Sequence, residues 1–178
     1  MMLSLIAMLA ADLPDPTPPE QAYGTGLIQC VAHTSGAGSI IEARREELAD
    51  TGLHLLNRAP DMLASTETHP VYGFAKFAIL NPTEGLVVIA GYDTGVCLVY
   101  GVGVDEKPIQ DRLDELFSIP GAWIESDIEQ LPGARWTAYD FPQQDGSKLR
   151  AETSVREMPG DKVFFMTTVT RTAHSEGR

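Results

Sequence analysis

The chain reads as a single α+β domain, an antiparallel sheet of about five strands with two main helices on one face, in the order α-β-β-β-α-β-β-β. Three observations predict it. Residues 85–104 hold two short runs rich in β-branched residues, joined by Asp93-Thr94-Gly95 with a Gly free to take φ > 0, which is the signature of a hairpin. From Asp105, the expected N-cap, the apolar period changes, so that Ile109, Leu113, Leu116 and Phe117 share a helical face. Residues 134–172 hold three strand-like runs separated by Pro- and Gly-bearing turns.

With 178 residues the chain suits one domain with a proper core. Residues 1–20 are expected to be a signal peptide and a Pro-rich lead-in, residues 21–173 the domain, and residues 174–178 a frayed tail. The apolar run over residues 1–11 has signal-peptide length and is too short to span a bilayer, which needs about 20 residues. No Lys or Arg precedes it, and Leu9 sits where a cleavage site prefers a small residue. Pro14, Pro16, Pro18 and Pro19 then predict irregular chain over residues 12–26.

Residues 24–33 carry a short apolar run that reads as a strand or as the lead-in to a helix. Ser39-Ile40-Ile41-Glu42 is a capping box, opening a helix with Ile41, Leu48, Gly52, Leu55 and Leu56 along one stripe and Pro60 as its stop. Residues 61–70 read as a connection, residues 71–80 as a strand, and Asn81-Pro82-Thr83-Glu84 as the turn into the hairpin. Pro120 and Gly121 end the second helix, and residues 123–133 form another connection. Residues 147–158 alternate cleanly: Leu149, Ala151, Thr153 and Val155 face a core, while Lys148, Arg150, Glu152, Ser154 and Arg156 face water. Pro159 and Gly160 occupy the central places of a type II turn. The element order resembles that of profilin- and PAS-type domains, a likeness of order alone that brings no motif residue and implies no ligand.

The net charge of −12 argues against nucleic acid and anionic membrane surfaces as partners. Residues 134–178 hold 7 Lys+Arg against 6 Asp+Glu, leaving 6 against 19 for residues 1–133. That excess would attract a cationic partner or simply solvate the surface.

Cys30 and Cys97 either form one disulfide, as export would permit, or remain two buried thiols. Cys30-Val31-Ala32-His33 places a thiol near a base, but catalysis needs a lowered thiol pKa and a group orienting the imidazole, neither of which is legible. One Cys-x-x-His falls short of a zinc site, and His54, His69 and His174 add no ligand spacing. The Gly-x-Gly steps at 24–26, 36–38 and 101–103 make no phosphate loop, and close approach of a helix accounts for Gly101 and Gly103. The acidic residues between Asp105 and Glu129 do not follow a calcium loop. No cofactor or metal is therefore expected. Phe164 and Met166, on the strand face opposite Val163, Phe165 and Val169, form either an exposed apolar patch or edge packing.

The expected function is that of an exported, periplasmic or secreted, non-catalytic module that binds a protein or small ligand through the sheet face or its edge. The alternatives are a small hydrolase or thiol enzyme using Cys30 and His33 or an acidic pair, and a cytoplasmic dimerising scaffold.

Overall fold

The structure, a computed structural model, describes residues 16–40 and 52–172. Residues 1–15 of the expected leader and lead-in and the tail lie outside them, as do residues 41–51 of the helix expected after Ser39. Helix α1 spans Pro19–Ser35, β1 His54–Leu56, a 3-10 turn Asp61–Thr66, β2 Thr68–His69, β3 Gly73–Leu80, β4 Leu86–Tyr92 and β5 Cys97–Val104. Helix α2 spans Glu106–Phe117, followed by β6 Ile124–Ser126, β7 Arg135–Pro142, β8 Lys148–Glu157 and β9 Val163–Thr172.

The α+β class and the single antiparallel sheet stand, but the sheet has nine strands, not about five. They run in the order β1-β3-β4-β5-β9-β8-β7-β6, with β2 also paired to β3. The simple α-β-β-β-α-β-β-β order gives way for the same reason: β1, β2 and β6 are two or three residues long. Such segments show no period in the sequence and exist because a longer neighbour offers free edge groups. Leu55 and Leu56, expected on a helical stripe, instead pair with Ala78 and Phe77 of β3.

Helix α1 overrides the irregular chain expected before residue 27. Pro19 stands in the first turn, where the missing N–H costs nothing. Ala22, Tyr23, Leu27 and Cys30 line a buried stripe, and burial outweighs the helix cost of Gly24 and Gly26. Thr17 is already tied in, donating to the Asn81 carbonyl and accepting from the Thr83 amide at 3.0 and 2.8 Å.

Two cores sandwich the central strands. On one face, α1 and α2 (through Ile109, Leu113 and Phe117) cover Val87, Ile89, Val99, Phe165 and Val169. On the other, Ala59 and Leu63 join Phe77, Val88, Leu98, Tyr100 and Val102. Burial on both faces explains why β4 and β5 are almost continuously apolar. Gly101 marks the close approach foreseen: a Cβ there would lie 3.0 Å from the Tyr23 ring of α1.

The turns hold with two refinements. Gly95 has φ 83° and its amide donates to the Tyr92 carbonyl, closing the β4–β5 hairpin as expected. After Met158 both Gly160 (φ 80°) and Asp161 (φ 58°) are left-handed, and the Met158 amide reaches the Lys162 carbonyl, one residue beyond a type II turn. Asp105 sits at the N-cap of α2, yet its carboxylate accepts from Lys162 Nζ rather than from the helix.

Candidate functional site

Cys30 of α1 and Cys97 of β5 are joined by a disulfide, Cα atoms 5.1 Å apart and both residues 0% exposed. Their place follows from the local fold, since Cys30 falls on the buried stripe of α1 and Cys97 opens β5 on the facing side. In this state neither sulfur is a nucleophile. His33, one turn on, is buried and held by backbone: Nδ1 accepts from the Ile40 amide at 3.3 Å, and Nε2 lies 3.0 Å from the Tyr92 carbonyl. That pattern assigns the ring proton to Nε2, which donates to Tyr92. Both ring nitrogens are therefore engaged, Nε2 joining α1 to the end of β4 and Nδ1 holding the chain at Ile40.

His33 borders a cavity of about 460 Å³ together with Gly36, Ser39, Tyr92, Asp93 and Gly95. Its floor is the α1 C-terminus, closed by Gly36 in the left-handed region (φ 81°). Asp93 stands over Gly73, where a Cβ would meet Oδ1 at 2.0 Å. The Tyr92 phenol turns away, donating to the Thr66 carbonyl at 2.7 Å, and burial pushes its pKa above the ordinary value.

A second cleft, of about 270 Å³, opens where β1 and β2 leave the edge of β3 between them. Leu56, Arg58, Glu67, Phe74, Lys76 and Phe77 line it. Phe77 is buried at 2% exposure, whereas Phe74 on the same strand is 69% exposed. Glu67 is fixed by the Ala59 amide, which donates to its Oε1 at 2.8 Å. Arg58, like Arg156, has no carboxylate partner among the described residues, whereas seven other Lys and Arg side chains are in ion pairs. Beside the cleft, His69 stacks on Tyr72 with centroids 4.2 Å apart, and its Nδ1 accepts from the Val71 and Tyr72 amides. Val71 and Met62, in the segments between β1 and β3, are exposed at 71% and 57%.

The remaining sequence candidates lie elsewhere. Phe164 and Met166 are half-buried on the sheet face away from α1, packed on the second core, with Phe164 6.1 Å from the Tyr100 ring. Among the acidic residues, Asp105, Glu106, Asp111 and Glu115 pair with Lys162, Arg135, Lys107 and Arg112. No group of three or more His, Cys, Asp or Glu among the described residues is placed to hold a metal ion. His54 lies in β1, and His174 lies outside the described residues.

Arg58, Phe74 and Lys76 were not singled out in the sequence. Arg58 stood at the end of a stretch read as helix, and Lys76 interrupts an apolar run without any motif. The one available signal is the poor alternation of residues 71–80. Comparison with protein-family models, with curated proteins and with solved structures finds no match to this chain.

Proposed function

We propose that the protein is an exported, disulfide-stabilised binding module without a catalytic role, and that it takes its ligand in the cleft at the β3 edge. The observation that carries the reading is Phe74, an aromatic 69% exposed on a strand at the mouth of an open cleft. Exposed aromatics beside concavities mark binding surfaces. The His33 cavity is larger, but its imidazole is committed to backbone. Export is supported by the apolar run and prolines at the N-terminus and by the disulfide, which forms and persists in oxidising compartments. Among the described residues no helix is long and apolar enough to cross a membrane.

The test of binding is a fragment screen read by amide NMR shifts on the full chain. Shifts clustering at residues 56–58, 67–68 and 74–77 are expected. Hits clustering around His33 and Asp93 instead, or nowhere, would overturn the assignment of the site. Intact mass of the exported product tests the compartment: loss of an N-terminal segment and of two hydrogens is expected, and a full-length, reduced chain would refute export.

A further inference from the structure

We propose that the protein has a second binding surface, on the helix-side face of β6 and β7, which takes an arginine-bearing segment of a partner polypeptide. This surface lies at the opposite end of the sheet from the β3 edge, so it is separate from the cleft. Four rings from three parts of the chain meet there. Phe117, the last residue of α2, stacks on Tyr139 of β7, with centroids 4.2 Å and planes 13° apart. Trp123, in the connection to β6, meets Phe117 edge-on at 5.1 Å and lies 5.4 Å from Phe141, tilted 39° to it. Tyr139 and Phe141 are two residues apart on β7 and so share a face. Phe117 is buried, whereas Trp123, Tyr139 and Phe141 are only half-buried and leave ring surface open to a ligand.

The rim of this platform is acidic. Glu125 stands directly opposite Tyr139 in the β6–β7 ladder, which puts both side chains on one face with Cβ atoms about 5 Å apart. Asp114 precedes Phe117 by three residues on α2, close to one turn. Burial first, then the carboxylates of Glu125 and Asp114, hold the Tyr139 phenol above its ordinary pKa, so both acids act at the ring. Neither acid is in an ion pair with a described residue: the Asp114 carboxylate accepts from the Gln110 side-chain amide at 2.7 Å, and Glu125 is exposed. On α2 and β7 every Lys and Arg is already paired, Lys107 with Asp111, Arg112 with Glu115 and Arg135 with Glu106. Unpaired carboxylates beside open aromatic faces attract a cation both by charge and by the ring quadrupole. The rings form an open row rather than a closed cage, which favours a flat guanidinium. It stacks on a ring while its edge donates two parallel N–H···O bonds to a carboxylate. Residues 1–133, which carry both acids, hold 19 Asp+Glu against 6 Lys+Arg. Charge spread so widely rewards a ligand with several cations, as a basic segment is and free arginine is not.

The experiment titrates the full oxidised chain, read by amide and indole NMR shifts, with three blocked hexapeptides. They are alike except at two positions, which are arginine, lysine or citrulline. The arginine peptide is expected to shift residues 123–125 and 139–141. It should bind about threefold more tightly than the lysine peptide and about tenfold more tightly than citrulline, the neutral planar isostere. Glu125→Gln should remove about tenfold of the arginine-peptide affinity and leave the citrulline peptide nearly unchanged. Phe141→Leu keeps an apolar side chain, removes a ring and should weaken the arginine peptide at least about threefold. Thermal midpoints check that both variants are folded, and Glu125→Gln, a surface change, decides the matter even where the ring variant is destabilised. Equal affinity for arginine and citrulline, normal arginine-peptide binding by Glu125→Gln, or shifts absent from the platform would overturn the proposal. Equal affinity for arginine and lysine would overturn the guanidinium assignment in favour of general charge attraction. Tetramethylammonium bound at these residues more tightly than the arginine peptide would replace the polypeptide by a small cation. Shifts of the same amides on concentrating the protein alone would replace it by a second copy.

Discussion

Beneath α1 lies a chain of buried hydroxyls that no water reaches. The Tyr23 phenol is 2.8 Å from Thr167 Oγ1, which is 2.9 Å from Thr153 Oγ1, and all three residues are at most 2% exposed. The second contact of Tyr23, to the Val99 carbonyl at 3.4 Å, is weak. Removing the end of this chain should cost less than removing its middle. Tyr23→Phe leaves Thr167 bonded to Thr153, and we predict a loss of about 1 kcal/mol. Thr167→Val strands the Thr153 hydroxyl and leaves Tyr23 with only its weak contact, for about 1–3 kcal/mol. Urea melts of the two variants measure the difference, and a larger loss in Tyr23→Phe would mean that the phenol hydroxyl, rather than the threonine pair, carries the network. Gly73 is a second residue with no substitute. Its φ of 82° disfavours any side chain, and a Cβ would collide with Asp93 Oδ1.

At the scale of elements, α2 is held by its buried stripe. Leu113 is 2% exposed within the helix-side core, while Leu116, which shares the periodicity, is only partly buried. Leu113→Ala should therefore cost about 2–5 kcal/mol, and Leu116→Ala clearly less. Asp114→Ala, on the wet face, should stay within about 0.5 kcal/mol. Equal losses for the two leucines in denaturant melts would mean that α2 packs in a different rotation. Where β7 runs past the short β6, a side chain takes the place of a strand. The Gln130 side chain donates to the Trp136 carbonyl at 2.8 Å and accepts from the Trp136 amide at 3.0 Å, occupying both groups that a further strand would use. Gln130→Ala frees them, and we expect concentration-dependent association in sedimentation velocity with little change in the thermal midpoint. Monomeric behaviour at all concentrations would show that the edge is guarded elsewhere.

For the whole molecule, the disulfide ties the first helix to the central strand across a sequence separation of 67 residues. Closing so long a loop in the unfolded chain corresponds to about 4 kcal/mol on the chain-entropy model, a large share of the ~5–15 kcal/mol typical of a domain. Replacing both cysteines by Ala should lower the unfolding free energy by about that amount, and an unchanged denaturant midpoint would make the bond dispensable. Because both residues are fully buried, reduction of the folded protein should be slow and should accelerate with sub-denaturing urea. Alkaline pH acts on the same cores. Burial, first among the causes in each case, pushes the phenols of Tyr23, Tyr92, Tyr100 and Tyr139 above their ordinary pKa. The unfolded chain releases these protons near pH 10 and the folded chain only at higher pH, so stability is level below about pH 10 and falls as pH rises beyond it. Phenolate absorbance is expected to rise together with loss of the near-ultraviolet circular dichroism, and ionisation of all four near pH 10 in a still-folded protein would contradict it.

The sequence by itself determined the α+β class, the six long strands β3, β4, β5, β7, β8 and β9, and helix α2. These are legible because alternation, a Gly that must take φ > 0 such as Gly95, and a stripe such as Ile109, Leu113 and Phe117 are properties of neighbouring residues. Tertiary structure alone decided the rest. It made α1 a helix, because covering Val99 and Ile89 outweighs the prolines and glycines at its start. It drew His54–Leu56 and Ile124–Ser126 into the sheet, because only a folded β3 and β7 present edges to pair with. It joined Cys30 to Cys97 and His33 Nε2 to the Tyr92 carbonyl, contacts across tens of residues that spacing cannot reveal. It also gathered Arg58, Phe74 and Lys76 around one cleft, since a site is a matter of which distant side chains share a space, and that is set only when the sheet edge forms.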